Sequence, residues 1–248
     1  MSVSKILSIE HLNAYYNHNN KGFLGKRVRE QILHDVSFEL ERGEILGIVG
    51  ESGCGKTTLA KAILGMNPDI TGRVSLADGC NPQMIFQDPY SSLNPAKTVG
   101  WIMEEPLRLN TGLDKNERKA RVLAMLERVG LAEEIVNRYP SQLSGGQRQR
   151  VCIGVALMLN PQLLIADEPV SALDVTISAQ IVELLRKLQE EMGLSVVFIS
   201  HDLRVVYQIC KKVVILRQGK VMEKGDVDEI YNNPKDSYTK ELLEAAGK

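Results

Sequence analysis

Four short runs along the chain are apolar almost without interruption: Ile45–Val49, Leu163–Ala166, Val196–Ile199 and Val213–Leu216. Strands of this kind are buried on both faces, as in a parallel sheet. Elsewhere the period changes. Ile177, Ile181, Leu184, Leu185 and Leu188 share one face of a helix. Strand–helix–strand alternation predicts an α/β core around a parallel sheet. Near the N-terminus, ILSIEHL and QILHDVSFEL alternate only in part, and the polar stretch between them, Asn17–Arg27, predicts a hairpin loop. From about residue 89 to residue 159 no strand pattern occurs. Val122, Met125, Leu126 and Val129 mark one helix there, and Arg148–Leu159 marks another, so a helical insertion into the core is expected.

Composition narrows the picture. At 248 residues, 44% hydrophobic and 25% charged, the chain can bury a core without disulfides or metals. A net charge of −1 leaves no global field to draw it onto nucleic acid or anionic lipid. The apolar runs fall far short of the ~20 residues that span a bilayer. MSVSKILSIEHL has no secretory h-region, so the chain is expected to stay in the cytoplasm. Cys54, Cys80, Cys152 and Cys210 show no paired ligand spacing and read as free thiols. The four histidines are as scattered, and no metal site built from them is expected.

Three motifs carry chemistry. Gly50-Glu51-Ser52-Gly53-Cys54-Gly55-Lys56-Thr57 fits G-x-x-x-x-G-K-[ST], a phosphate loop, between an apolar strand and the helical run Thr58–Leu64. Its glycines let backbone N–H groups turn toward phosphate oxygens, and the helix N-terminus adds partial positive charge. Lys56 would reach the β- and γ-phosphates, and the Thr57 hydroxyl would ligate Mg²⁺. The second motif is Leu163–Asp167 followed by Glu168, a buried strand with two carboxylates at its C-terminal end, where α/β sheets place ligands. Asp167 suits the Mg²⁺ shell and Glu168 suits a proton acceptor for attacking water. Taken alone, such a pair is often a solvated helix cap. The third is Leu143-Ser144-Gly145-Gly146-Gln147, a Ser-Gly-Gly opening a helix and hence a second phosphate-binding N-terminus. One nucleotide rarely needs two cradles, so the second points to a nucleotide held by another copy.

With LSGGQ in place, the sequence resembles the ATP-binding cassette (ABC) ATPases over nearly its whole length. The resemblance implies a phosphate-loop, RecA-like core with an N-terminal antiparallel β subdomain and an inserted helical subdomain. The implied boundaries are about 1–43 with 72–85 for the β subdomain, 44–71 with 160–248 for the core, and 88–159 for the helices. It implies that Gln87 touches Mg²⁺ and the membrane subunit, and that Ser171–Asp174 crosses a dimer interface. It places His201 near the γ-phosphate, Tyr16 against adenine, and Gly50–Thr58 around the phosphates of ATP.

FQDPYSSLNP (Phe86–Pro95), DEPVSALDVTISAQI (Asp167–Ile181) and HDL (His201–Leu203) are similar to the peptide/nickel group of ABC importers. Lys235-Asp236-Ser237-Tyr238-Thr239 resembles that group's HPYT ending, with Lys and Asp replacing the usual first residues. The stretch 72–87 is abbreviated relative to that group. In length the chain is nearer the nickel or metallophore importers. The implied partners are a second ABC ATPase subunit (a related subunit or a second copy), two transmembrane permease subunits and, indirectly, an extracytoplasmic binding protein, at the cytoplasmic face of the membrane. No nucleic acid is expected. A soluble ABC protein acting on ribosomes or DNA is the rival reading, but those usually carry two cassettes or long coiled-coil insertions. A phosphate-loop kinase would not need LSGGQ.

Overall fold

The computed structural model describes residues 4–19, 27–67 and 69–247, so most of the expected loop over 17–27 lies outside the described residues. The chain divides into two compact units, Met1–Cys80 with Ser195–Lys248, and Asn81–Leu194.

In the first unit, β1 (Lys5–Asn19), β2 (Arg27–Glu41) and β4 (Ile70–Leu76) form an antiparallel sheet in the order β2-β1-β4. The hydrophobic alternation is only partial because the β1–β2 register shifts between Ile9 and Ala14. His11 and Asp35 sit in the left-handed region at these irregularities, with φ of 50° and 53°. Ile9, Leu12, Ala14, Leu33, Val36 and Phe38 nevertheless all reach the core. The second sheet element of this unit has β3 (Ile45–Val49) between β7 (Ser195–Ser200) and β8 (Lys212–Arg217), parallel to both. Every residue of β3 and β7 is buried, which explains their unbroken apolar runs. Gly47 interrupts β3 for a packing reason. A Cβ there would sit 2.5 Å from Val206 Cγ1 on α7 (Leu203–Ile209). β9 (Lys220–Asp226) adds antiparallel to β8, and α1 (Lys56–Ile63), α8 (Val227–Asn232) and α9 (Ser237–Ala245) complete the unit.

In the second unit, β5 (Gln83–Ile85) pairs in parallel with β6 (Leu163–Asp167), Ile85 opposite Ala166. Residues 83–85 therefore lie with the acidic strand rather than with the antiparallel strands, where a boundary at 85 would put them. The cause is simple: five buried residues of β6 need a partner for their backbone groups, and β5 supplies it. The helices are α2 (Pro89–Ser92), α3 (Val99–Asn110), α4 (Lys115–Arg128), α5 (Gly145–Leu157) and α6 (Val175–Met192). α4 buries Val122, Met125 and Leu126, and α6 buries Ile181, Leu184, Leu185 and Leu188, the faces their spacing predicts. α5 is buried almost all round, and Gly154 admits Met103 Cε to 2.8 Å of where a Cβ would stand. Among the described residues no helix is long and apolar enough to cross a membrane.

Candidate functional site

The phosphate loop leaves β3 at Gly50 and enters α1 at Lys56. Gly53 and Gly55 hold φ of 79° and 107°, a left-handed backbone that side chains resist. Gly55 is also walled in, because a Cβ would stand 2.8 Å from Leu33 Cδ2. Lys56 is buried and its Nζ folds back onto the loop, donating to the carbonyls of Gly50 at 2.8 Å and Glu51 at 3.0 Å. This ties the loop into a ring with its ammonium at the centre. Thr57 lies exposed at the start of the helix.

The helix start itself is unusual. Each of α2 to α9 has an Asp, Thr or Ser N-cap whose side chain accepts from the first turn. Among the described α-helices α1 alone has no side-chain cap, Gly55 standing at that position. The first-turn N–H groups of a helix have no partner within the helix. At α1 no N-cap side chain takes those donors, and both loop and helix dipole favour an anion.

On the second unit, Asp167 ends β6 almost completely buried. Glu168, next in the chain, is half-buried with φ of 48°. A non-glycine residue there carries strain of about 1–3 kcal/mol and persists only where its surroundings hold it. Ser171 supplies part of that hold, donating from its N–H and its hydroxyl to the Glu168 carbonyl at 3.2 and 3.1 Å. Gln87 supplies another part: its Nε2 donates to Glu168 Oε2 at 2.9 Å. The β5–β6 pairing thus brings together two expected site residues 81 positions apart. Neither the strain nor this hydrogen bond has a local signal in the sequence.

The signature opens α5 with a closed capping box. Ser144 Oγ accepts from Gln147 N–H at 3.3 Å, and Gln147 Oε1 accepts from Ser144 N–H at 3.0 Å. The Ser144 hydroxyl keeps its own proton to donate outward, and the residue is exposed. The two glycines are needed for packing as well. A Cβ on Gly146 would lie 2.7 Å from Ile177 Cγ2, and one on Gly145 would lie 3.3 Å from Leu173 Cδ2. Asp174, in the loop after the acidic strand, caps α6 by accepting from Ile177 N–H at 2.9 Å. Beside it Val175 is 88% exposed, a large apolar side chain offered to solvent.

His201 lies exposed directly after β7, where Asp202 caps α7. Of the two neighbouring tyrosines, Tyr15 has its ring covered by the Arg29 guanidinium at 3.6 Å. Arg29 is itself held in two hydrogen bonds by Asp69, whose carboxyl they keep below its ordinary range. Tyr16 is paired across the sheet with Glu30 and is half-buried.

Cys54 lies inside the loop, and burial pushes its thiol up against the opposing influence of Lys56. The thiolate is the reactive species, so maleimide labelling of Cys54 is expected to be slow at neutral pH and to rise about tenfold per pH unit. Labelling should abolish nucleotide binding, and Mg-ATP should protect the thiol. Half-buried Cys80 should label sooner, whereas Cys152, pushed up to about 12 by burial, should stay inert. Peptide mass mapping at two pH values checks this. Cys54 labelling that ignores both pH and nucleotide would contradict it.

A family profile described as ABC transporter matches residues 33–171. The chain is 47% identical over 240 residues to the dipeptide transport ATP-binding protein DppF of Haemophilus influenzae, covering 91% of this chain and 73% of that one. It is 44% identical over 258 residues to the oligopeptide transport ATP-binding protein OppF of Bacillus subtilis, covering 97% and 82%. Among solved structures, the ATP-binding cassette MJ0796, dimeric and bound to ADP and Pi after hydrolysis, superposes with a TM-score of 0.77. It is 29% identical, over 89% of this chain and 98% of that one. The cbiO1 protein of Clostridium perfringens, part of the cbiONQ transporter complex, also gives 0.77, at 28% identity over 92% and 91%.

Proposed function

Because the chain belongs to the ABC transporter family, as an ATPase subunit of the peptide importer group, we propose that it powers the uptake of short peptides. The observation that carries the nucleotide site is the uncapped start of α1 behind a glycine loop closed on Lys56. ATP is the substrate, its phosphates taken by Gly50–Thr58 and its adenine stacked on Tyr16. The Mg²⁺ that accompanies ATP needs hard oxygen donors, and the hydroxyl of Thr57, the carboxylate of Asp167 and the amide oxygen of Gln87 are of that kind. When bound it neutralises charge on the β- and γ-phosphates.

Glu168 is the general base. Its carboxylate takes a proton from water as the water oxygen bonds to the γ-phosphorus and the bond to the bridging oxygen of ADP breaks. The Gln87 amide keeps that carboxylate aimed, and His201 serves the γ-phosphate. Ser144, Gly145, Gly146 and Gln147 serve the ATP of a facing subunit, either a second copy or a related ATPase. Exposed Ser144, Asp174 and Val175 support a surface that another chain covers. Closure around ATP is passed to two permease subunits at the cytoplasmic face of the membrane, and an extracytoplasmic binding protein delivers the cargo.

The dipeptide and oligopeptide transporters among its relatives support peptides over nickel or a metal chelate. The test is ATP hydrolysis by the assembled complex in proteoliposomes with its binding protein. A mixture of di- and oligopeptides should stimulate turnover and accumulate inside. Stimulation by nickel or a chelate, with none by peptides, would overturn the assignment.

A further inference from the structure

The phosphate loop is held from behind by the C-terminal part of its own unit. The β8–β9 turn, Gln218-Gly219, has both residues in the left-handed region, with φ of 47° and 75°. Gly219 N–H donates to the Cys54 carbonyl at 2.9 Å, and Gly219 carbonyl accepts from His34 N–H at 2.8 Å. The turn therefore bridges the loop to β2. The Leu216 carbonyl lies so near Gly50 that no side chain fits between them.

A second contact comes from α9. Tyr238, in its first turn, is only 2% exposed, and the Arg217 guanidinium lies 4.3 Å over its ring. Its hydroxyl accepts from the Glu51 backbone N–H at 3.4 Å, inside the loop. Tyr238 is itself well anchored. Asp236 accepts from its N–H at 2.9 Å, and Glu223 on β9 accepts from the N–H groups of Lys235 and Asp236 at 3.0 and 3.1 Å. The KDSYT segment thus has a use in this chain that nucleotide chemistry alone does not give it.

We propose that Tyr238 is a positioning residue for ATP, holding the Glu51 end of the phosphate loop so that α9 sets nucleotide affinity. It rests on the reading that the loop takes the phosphates. The hydroxyl acts through the loop backbone. It restrains one amide of the loop in the shape that binds, and releasing it makes binding bear the cost of ordering.

The test is calorimetric titration of the full chain with ATP in the presence of Mg²⁺, alongside thermal unfolding and amide hydrogen exchange. Tyr238→Phe keeps the ring and its Arg217 contact and removes the acceptor. Loss of one neutral hydrogen bond corresponds to about a two- to tenfold weaker Kd. Glu51 N–H should exchange faster, the Leu59 amide of α1 should not, and Tm should stay within about 2 °C. Unchanged affinity, or weaker binding with a Tm loss beyond that margin, would mean that Tyr238 only packs, and the proposal would fail. Should Tyr238→Phe not fold, Arg217→Gln decides, since loosening the ring from above should weaken Kd in the same sense, and an unchanged Kd would overturn the proposal. If the unaltered chain bound no ATP, the phosphate-loop reading would fail instead, and this proposal with it.

Discussion

Glu168→Gln is expected to bind Mg-ATP as tightly as the unaltered chain and to hydrolyse it about 10²–10⁴-fold more slowly. The replacement is isosteric, and its amide oxygen still accepts from Gln87 Nε2, now 2.9 Å from the carboxylate. The strained backbone at φ of 48° is untouched, since Ser171 holds the carbonyl rather than the side chain. What disappears is the ability to take a proton from water. Closure around ATP survives and resetting does not, so nucleotide-bound dimers should accumulate on gel filtration. Lys56→Ala should differ in kind. It removes the ammonium that ties Gly50 and Glu51 together, and so weakens phosphate binding and chemistry at once. Hydrolysis by Glu168→Gln at the normal rate would remove Glu168 from the role of base.

Much of this architecture is legible in the chain because burial on both faces leaves an unbroken apolar record. β3, β6, β7 and β8 are each such a record, and the glycine loop and acidic pair stand directly at the ends of two of them. β9, KVMEKGD, is not legible, because it mixes charged and half-buried residues without a clear period and is defined by its pairing with β8. α3 carries Pro106 inside it, which argues against a helix until Thr98 is seen to cap it. α8 and α9 are short, and their identity lies in the Asp226 and Asp236 caps more than in any apolar period.

The site divides along the same line. Local motifs mark Gly50–Thr58, Ser144–Gln147 and Asp167–Glu168 as candidates. The hydrogen bond from Gln87 to Glu168, the left-handed backbone at Glu168 and the brace from Gly219 and Tyr238 all depend on pairings between distant segments. Gly146 is the mixed case. The sequence marks it as part of a cradle, while its tight approach to Ile177 shows a packing need that a motif does not express.

The central claim is that each working site is made by two chains, the phosphate loop of one and the signature of the other. Ser144 caps its own helix yet faces solvent with a donor to spare, as a residue serving a neighbour should. Ser144→Arg disables the signature, Lys56→Ala disables the phosphate loop, and either change on both chains of a dimer should nearly abolish hydrolysis. The decisive measurement is the ATPase rate of the two variants mixed, in whichever pairing assembles. A mixed dimer has one site with both halves intact and one with neither. For random pairing of equal amounts of a self-associating chain, about one quarter of the normal rate should return, because half the dimers are mixed and each has one of two sites. A mixture that forms dimers yet hydrolyses no faster than its parents would contradict the account.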